Sequence, residues 1–159
     1  MLFEGPYNYT LQLSRNGGNI EKFQEGKKVK FSKSVTLNKL PKIYVILDGK
    51  EVLYVGFTSQ SVGSRLSGGL KADGKNGYHG YGWKGLEKVE LKIFVFEPYS
   101  EDEQTKKQQR LFAEAVEAEL AFLIRSKTDS WPKYQSEIHF NNVSPKQVRD
   151  VAKVIYSHL

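Results

Sequence analysis

Residues 42–57 read KIYVILDGKEVLYVGF, two apolar runs of β-branched and aromatic residues on either side of Asp48-Gly49. Asp-Gly between such runs is a strong hairpin signal, because a two-residue turn of the favoured type needs positive φ at its centre. The stretch therefore fixes one antiparallel strand pair, and the rest of the chain has to be arranged around it. Further strands are expected on both sides. YTLQLSR and KVKFSKSVTL alternate apolar and polar residues at period two, the mark of half-buried strands, with RNGGNI between them as a turn. VELKIFVFEP reads as another strand, stopped by Pro98.

Helical signals follow a different period. TSQSVGSRLSGGL reads as a short helix, capped by Thr58 or Ser59 and ended by Gly68-Gly69. KADGKNGYHGYGWKG is rich in glycine and reads as a loop. From about residue 101 to 127 the pattern is helical, with Phe112, Val116, Leu120 and Leu123 on one face. SEIHFNN suggests a final short strand, and SPKQVRDVAKVIYSHL a last helix with Ser144 as N-cap and Pro145 in its first turn. The expectation is one α+β domain with a small central mixed or antiparallel sheet flanked by helices. Residues 1–40 form a β-rich N-terminal extension packed on the core, 41–142 the core itself, and 143–159 a C-terminal helix.

At 159 residues the chain suits one domain with a proper core. It has no cysteine, which excludes disulfides and thiolate ligands and suits a reducing cytoplasm. MLFEGPYNYT lacks the basic and apolar regions of a signal peptide, and no apolar run approaches the length of a membrane span, so no membrane partner is expected. The net charge of +6 favours anionic partners, of which nucleic acid is the commonest.

On their own, tyrosines on a hairpin are packing residues. Their context adds to this. Lys42-Ile43-Tyr44 on the first strand and Tyr54-Val55-Gly56 on the second, with Arg65 on the next helix, resemble the motif of the GIY-YIG nucleases. Ten positions separate the tyrosines and eleven separate Tyr54 from Arg65. Lys42 departs from the family's first glycine. The resemblance covers roughly residues 41–135 and implies a GIY-YIG-like nuclease core, a metal-dependent endonuclease activity on DNA, duplex DNA above all, and one Mg²⁺ or Mn²⁺ per site.

The resemblance also requires a glutamate on a later helix to hold the metal, and AEAVEAELAFLI offers Glu114, Glu117 and Glu119. At about 100° per residue, Glu119 falls within the stripe of Phe112, Ala115, Val116, Leu120 and Leu123, while Glu117 lies toward its edge and Glu114 faces away. A carboxylate inside an apolar stripe is costly unless something pairs with it, as a metal would. Glu119 is therefore the preferred ligand and Glu117 the alternative. In WPKYQ, Gln135 stands where the family often has an asparagine. Where many members carry a histidine one turn beyond the arginine, this chain has Gly69, and His79 in the loop is the substitute considered. His139 reads as a packing residue.

By the same resemblance, the metal would stabilise the leaving and a non-bridging oxygen, Arg65 would grip the phosphate, and a tyrosine would orient or deprotonate the attacking water. Tyrosine's ordinary pKa of about 10 makes it a poor base unless cations lower it. Tyr44 is preferred for the role, Tyr54 being the other choice. For binding nucleic acid, the glycine-rich loop interleaves Lys71, Lys75 and Lys84 with Tyr78, Tyr81 and Trp83. Lys27, Lys28 and Lys30 form a second basic patch. Specificity would come from the N-terminal segment, this loop or a homodimer. Two other readings stand beside the nuclease: a non-catalytic nucleic-acid-binding module on the same scaffold, and a protein-interaction domain.

Overall fold

The computed structural model describes residues 2–14, 19–97, 100–139, 141 and 143–159. Residues 15–18 of the expected RNGGNI turn, and Pro98, fall outside them. The chain is α+β, with a six-stranded sheet covered by helices on both faces. The strands are β1 (Leu2–Leu13), β2 (Ile20–Gln24), β3 (Lys27–Lys28), β4 (Lys42–Asp48), β5 (Glu51–Thr58) and β6 (Lys88–Glu97). Their order across the sheet is β3-β2-β1-β6-β4-β5, and each neighbouring pair is antiparallel. The helices are α1 (Lys33–Thr36), α2 (Val62–Lys71), α3 (Glu103–Thr128) and α4 (Pro145–Tyr156). Among the described residues no helix is long and apolar enough to cross a membrane.

The expected hairpin is β4-β5, and β4 lies between β5 and β6. Its continuous apolar run follows from that position, since both of its faces are buried. Tyr44 and Ile46 join a core beneath α2 with Leu66, Leu91 and Ile93. Ile43, Val45 and Leu47 join the opposite core, built with Val116, Leu120, Val148 and Ile155 of α3 and α4. β1 is an interior strand, paired with β2 on one side and β6 on the other, so the N-terminal segment is continuous with the sheet.

Lys42 is fully buried at the start of β4. Its ammonium donates to the carbonyls of Leu37, Leu40 and Gln60 at 2.5, 2.8 and 3.1 Å. A lysine thus ties together the segments entering and leaving the hairpin, a task that glycine has no side chain for.

Three expectations are corrected. KVKFSKSVTL is not a strand: of its residues only Lys28 belongs to one, the two-residue Lys27–Lys28, and Lys33–Thr36 is a helical turn. Its period-two apolar residues, Val29, Phe31 and Val35, instead pack individually into the core under α2. The helix after the hairpin starts later and runs through Gly68-Gly69 to Lys71; its N-cap is Ser61, whose hydroxyl accepts from the Ser64 amide. SEIHFNN forms no strand at residues 136–139 or 141, the remainder lying outside the described residues. The last helix begins as expected, with Pro145 following Ser144.

Candidate functional site

The β4-β5 register sets Tyr44 opposite Gly56 and Ile46 opposite Tyr54, so both tyrosines share one face, their rings 6.0 Å apart. Gly56 is needed there. A Cβ at that position would lie 2.3 Å from the Tyr44 ring and 2.6 Å from the Tyr54 ring. Tyr44 is fully buried, and its hydroxyl shares a 2.8 Å hydrogen bond with that of Tyr81.

Tyr81 was expected in the nucleic-acid-binding loop, yet it is 4% exposed and part of the core. Its ring stacks on Trp83 at 4.7 Å and meets Tyr54 edge-on at 5.4 Å. A Cβ on Gly69 would fall 2.1 Å from this ring, and the Tyr81 amide donates to the Gly69 carbonyl. The position lacking a histidine is therefore covered by a tyrosine arriving from the loop. Gly69 inside a helix was the only sequence signal for this arrangement, and it did not say which residue fills the gap.

Arg65, on α2, is half-buried with its guanidinium 5.8 Å from the Tyr81 ring centre, and its Nε has no hydrogen-bond partner. Burial alone would lower its pKa, but coupling to Tyr44 and Tyr81 outweighs burial and leaves it raised, a permanent cation. Burial raises the pKa of Tyr44, Tyr54 and Tyr81, and the opposing influence of Arg65 does not reverse it. In this setting the tyrosines are neutral hydroxyls near pH 7, able to orient a water by hydrogen bonding.

The carboxylate coupled to this cluster is Glu117, the alternative to the preferred Glu119. Glu117 is 5% exposed, accepts a hydrogen bond from the Phe57 amide on the outer edge of β5, and leaves its Oε2 without a partner. It couples electrostatically to both Tyr54 and Arg65. Burial first, then Glu114, pushes its carboxyl up to about 8, against the pull of the Phe57 amide and Arg65. Glu119 is half-buried in a different groove with Phe122, Arg125, Trp131 and Val148. Glu114 does not face away but is buried, bonded to Arg110 and Asn141. α3 packs on the sheet and on α4, and its buried arc takes in Ala113, Glu117, Leu120 and Ile124 as well as the stripe of Phe112, Ala115 and Val116.

Gln135 closes the site from outside. Its Oε1 accepts from the Val55 amide at 3.0 Å, and its Nε2 donates to the carbonyls of Val55 and Glu137 at 3.1 and 2.9 Å. The Lys133 and Tyr134 amides bond the carbonyls of Val52 and Leu53. The turn therefore covers the free edge of β5, and both ends of the Gln135 amide are committed to holding it. A cavity of about 370 Å³ is bounded by Tyr54, Arg65, Tyr78, Tyr81 and residues 134–137.

The loop residues divide. Tyr78 is 47% exposed and lines that cavity. Lys71 and Lys75 are exposed, Lys75 paired with Asp73 at 2.9 Å. Lys84 donates to the carbonyls of Ala72 and His79, closing the loop on itself. His79 is exposed and would abut a Cβ on Gly74; it does not line the cavity.

Among the described residues no three His, Cys, Asp or Glu side chains converge as a metal cluster. A divalent ion with many water ligands nevertheless fits Glu117, whose buried, unpartnered oxygen is costly without a cation. Comparison with protein families, curated proteins and solved structures finds no match to this chain.

Proposed function

We propose that this protein is a metal-dependent endonuclease of the GIY-YIG type, hydrolysing phosphodiester bonds in DNA. The observation that carries the reading is Glu117: a buried carboxylate with an orphan oxygen, coupled to Tyr54 and Arg65, two residues that line a cavity. A divalent ion held by Glu117 would supply Lewis-acid stabilisation of the phosphate and the leaving oxygen. Everything else falls to the chain's own groups. Arg65, whose side chain lines the cavity, binds a non-bridging phosphate oxygen with its guanidinium, where charge builds as water attacks phosphorus. Tyr54, which lines the cavity, orients that water. Tyr44 is fully buried and acts through its bond to Tyr81, as a positioning residue. Gln135 holds the edge of β5, and with it Tyr54, in register.

The test is supercoiled-plasmid cleavage with Mg²⁺, Mn²⁺ or EDTA. Metal-dependent nicking is expected, reduced by about a hundredfold or more in Glu117→Gln and in Arg65→Ala, and far less changed in Glu119→Gln. Salt-sensitive DNA binding with no cleavage under any metal would favour the non-catalytic binding module instead. Loss of cleavage in Glu119→Gln alone would overturn the assignment of Glu117.

A further inference from the structure

The Nδ1 of His139 lies 3.9 Å from the unpartnered Oε2 of Glu117. That distance is too long for a hydrogen bond. It is shorter than two metal–ligand bonds of about 2.1 Å laid end to end, so one ion can touch both atoms. The imidazole reaches this place for a structural reason. Gln135 pins its segment to Val55 and to the Glu137 carbonyl, so the chain passes Glu117 four residues after Gln135. The His139 side chain is 59% exposed and lines the groove that also holds Glu119, while the Glu117 side chain is 7% exposed, so an ion between them would be reached from the His139 side.

We propose that His139 is a second protein ligand of the ion held by Glu117, an inference that rests on the metal-dependent reading above, and that the site therefore takes first-row transition ions in preference to Mg²⁺. The chemistry follows from the donors. Mg²⁺ is a hard ion that keeps oxygen ligands and gains little from imidazole. Along the first transition row, affinity for a mixed nitrogen and oxygen site rises from Mn²⁺ through Co²⁺.

The experiment titrates the full chain with Mn²⁺, reading the free ion by electron paramagnetic resonance, with Co²⁺ and Mg²⁺ as competitors. In the wild type, Co²⁺ should displace Mn²⁺ at far lower concentration than Mg²⁺ does. Spin-echo modulation should report a directly bound ¹⁴N. His139→Ala, at an exposed position, should remove that modulation and weaken Mn²⁺ by about tenfold or more, since even an outer partner of a ligand is worth that much. Absence of nitrogen modulation in the wild type, or unchanged Mn²⁺ affinity in His139→Ala, overturns the proposal. If Glu117→Gln still abolishes Mn²⁺ binding in that case, the single-carboxylate site survives. Wild type that binds no Mn²⁺, or Glu117→Gln that binds it as well as wild type, overturns both.

Discussion

Glu117 carries a charge problem that stability measurements can read. The unfolded chain releases its proton near the ordinary carboxylate value, whereas the folded chain retains it up to about 8. Between those values the folded state binds more protons, so this group makes stability fall as pH rises. The groups facing it are Glu114, Glu137, Arg65, Tyr54, the Phe57 amide and His139, and burial outweighs the favourable ones. The loss by pH 8 is on the order of 4 kcal/mol in the absence of metal. Glu117→Gln should remove it, so urea unfolding at pH 5 and pH 8 should show a much smaller decline in the variant. Equal declines in the two proteins would show that the carboxyl is not held protonated. The same residue shows what a sequence conceals. Three glutamates on one helix are chemically alike, and their difference here is which neighbouring element each one meets.

At the level of elements, the site depends on β5 being an edge strand that is nonetheless covered. Its outward backbone groups are met by the amides of Lys133 and Tyr134 and by the side chain of Gln135. Gln135→Ala should leave the Val55 amide and carbonyl without protein partners, at a cost of about 1–2 kcal/mol. Hydrogen exchange at Val55 should accelerate by roughly tenfold, while the amides between β4 and β6 keep their protection. Exchange at Val55 that is unchanged would mean that the Gln135 side chain does not cover the edge. The strong local signals were legible: Asp48-Gly49 fixed the hairpin, and Ser144-Pro145 fixed the start of α4. Weaker ones were not. The alternation in KVKFSKSVTL is short enough to be met by a loop whose side chains dip into the core one at a time. Gly68-Gly69 resembles a helix end, but Gly69 is there because the Tyr81 ring covers it, a contact between residues twelve apart in sequence. Such long-range demands leave no periodic trace.

For the whole molecule, the net charge of +6 is legible in composition, but where it acts depends on the fold. Lys42 is spent inside the core and Lys84 inside its loop. Lys71 and Lys75 are exposed on the segment that leads to Tyr78 at the cavity, Lys75 sharing its charge with Asp73, itself exposed. On the proposed nuclease reading, these two lysines are the loop cations that would meet the phosphates of a duplex whose backbone enters the cavity. Each phosphate they neutralise should add about 0.9 to the slope of log affinity against log salt. The double variant Lys71→Ala, Lys75→Ala should therefore bind duplex DNA more weakly at low salt and lower that slope by about 2. Its plasmid cleavage at saturating protein should stay close to wild type, because neither lysine lines the cavity. Lys84→Ala should behave in the opposite way. It removes the tie between the Ala72 and His79 carbonyls, loosening the loop that carries Tyr81 to Tyr44, so cleavage should fall more than the salt slope does. Fluorescence-anisotropy titrations at four or five salt concentrations separate the two behaviours. A slope unchanged in the double variant would move the DNA path away from this loop, toward the second basic patch at Lys27, Lys28 and Lys30.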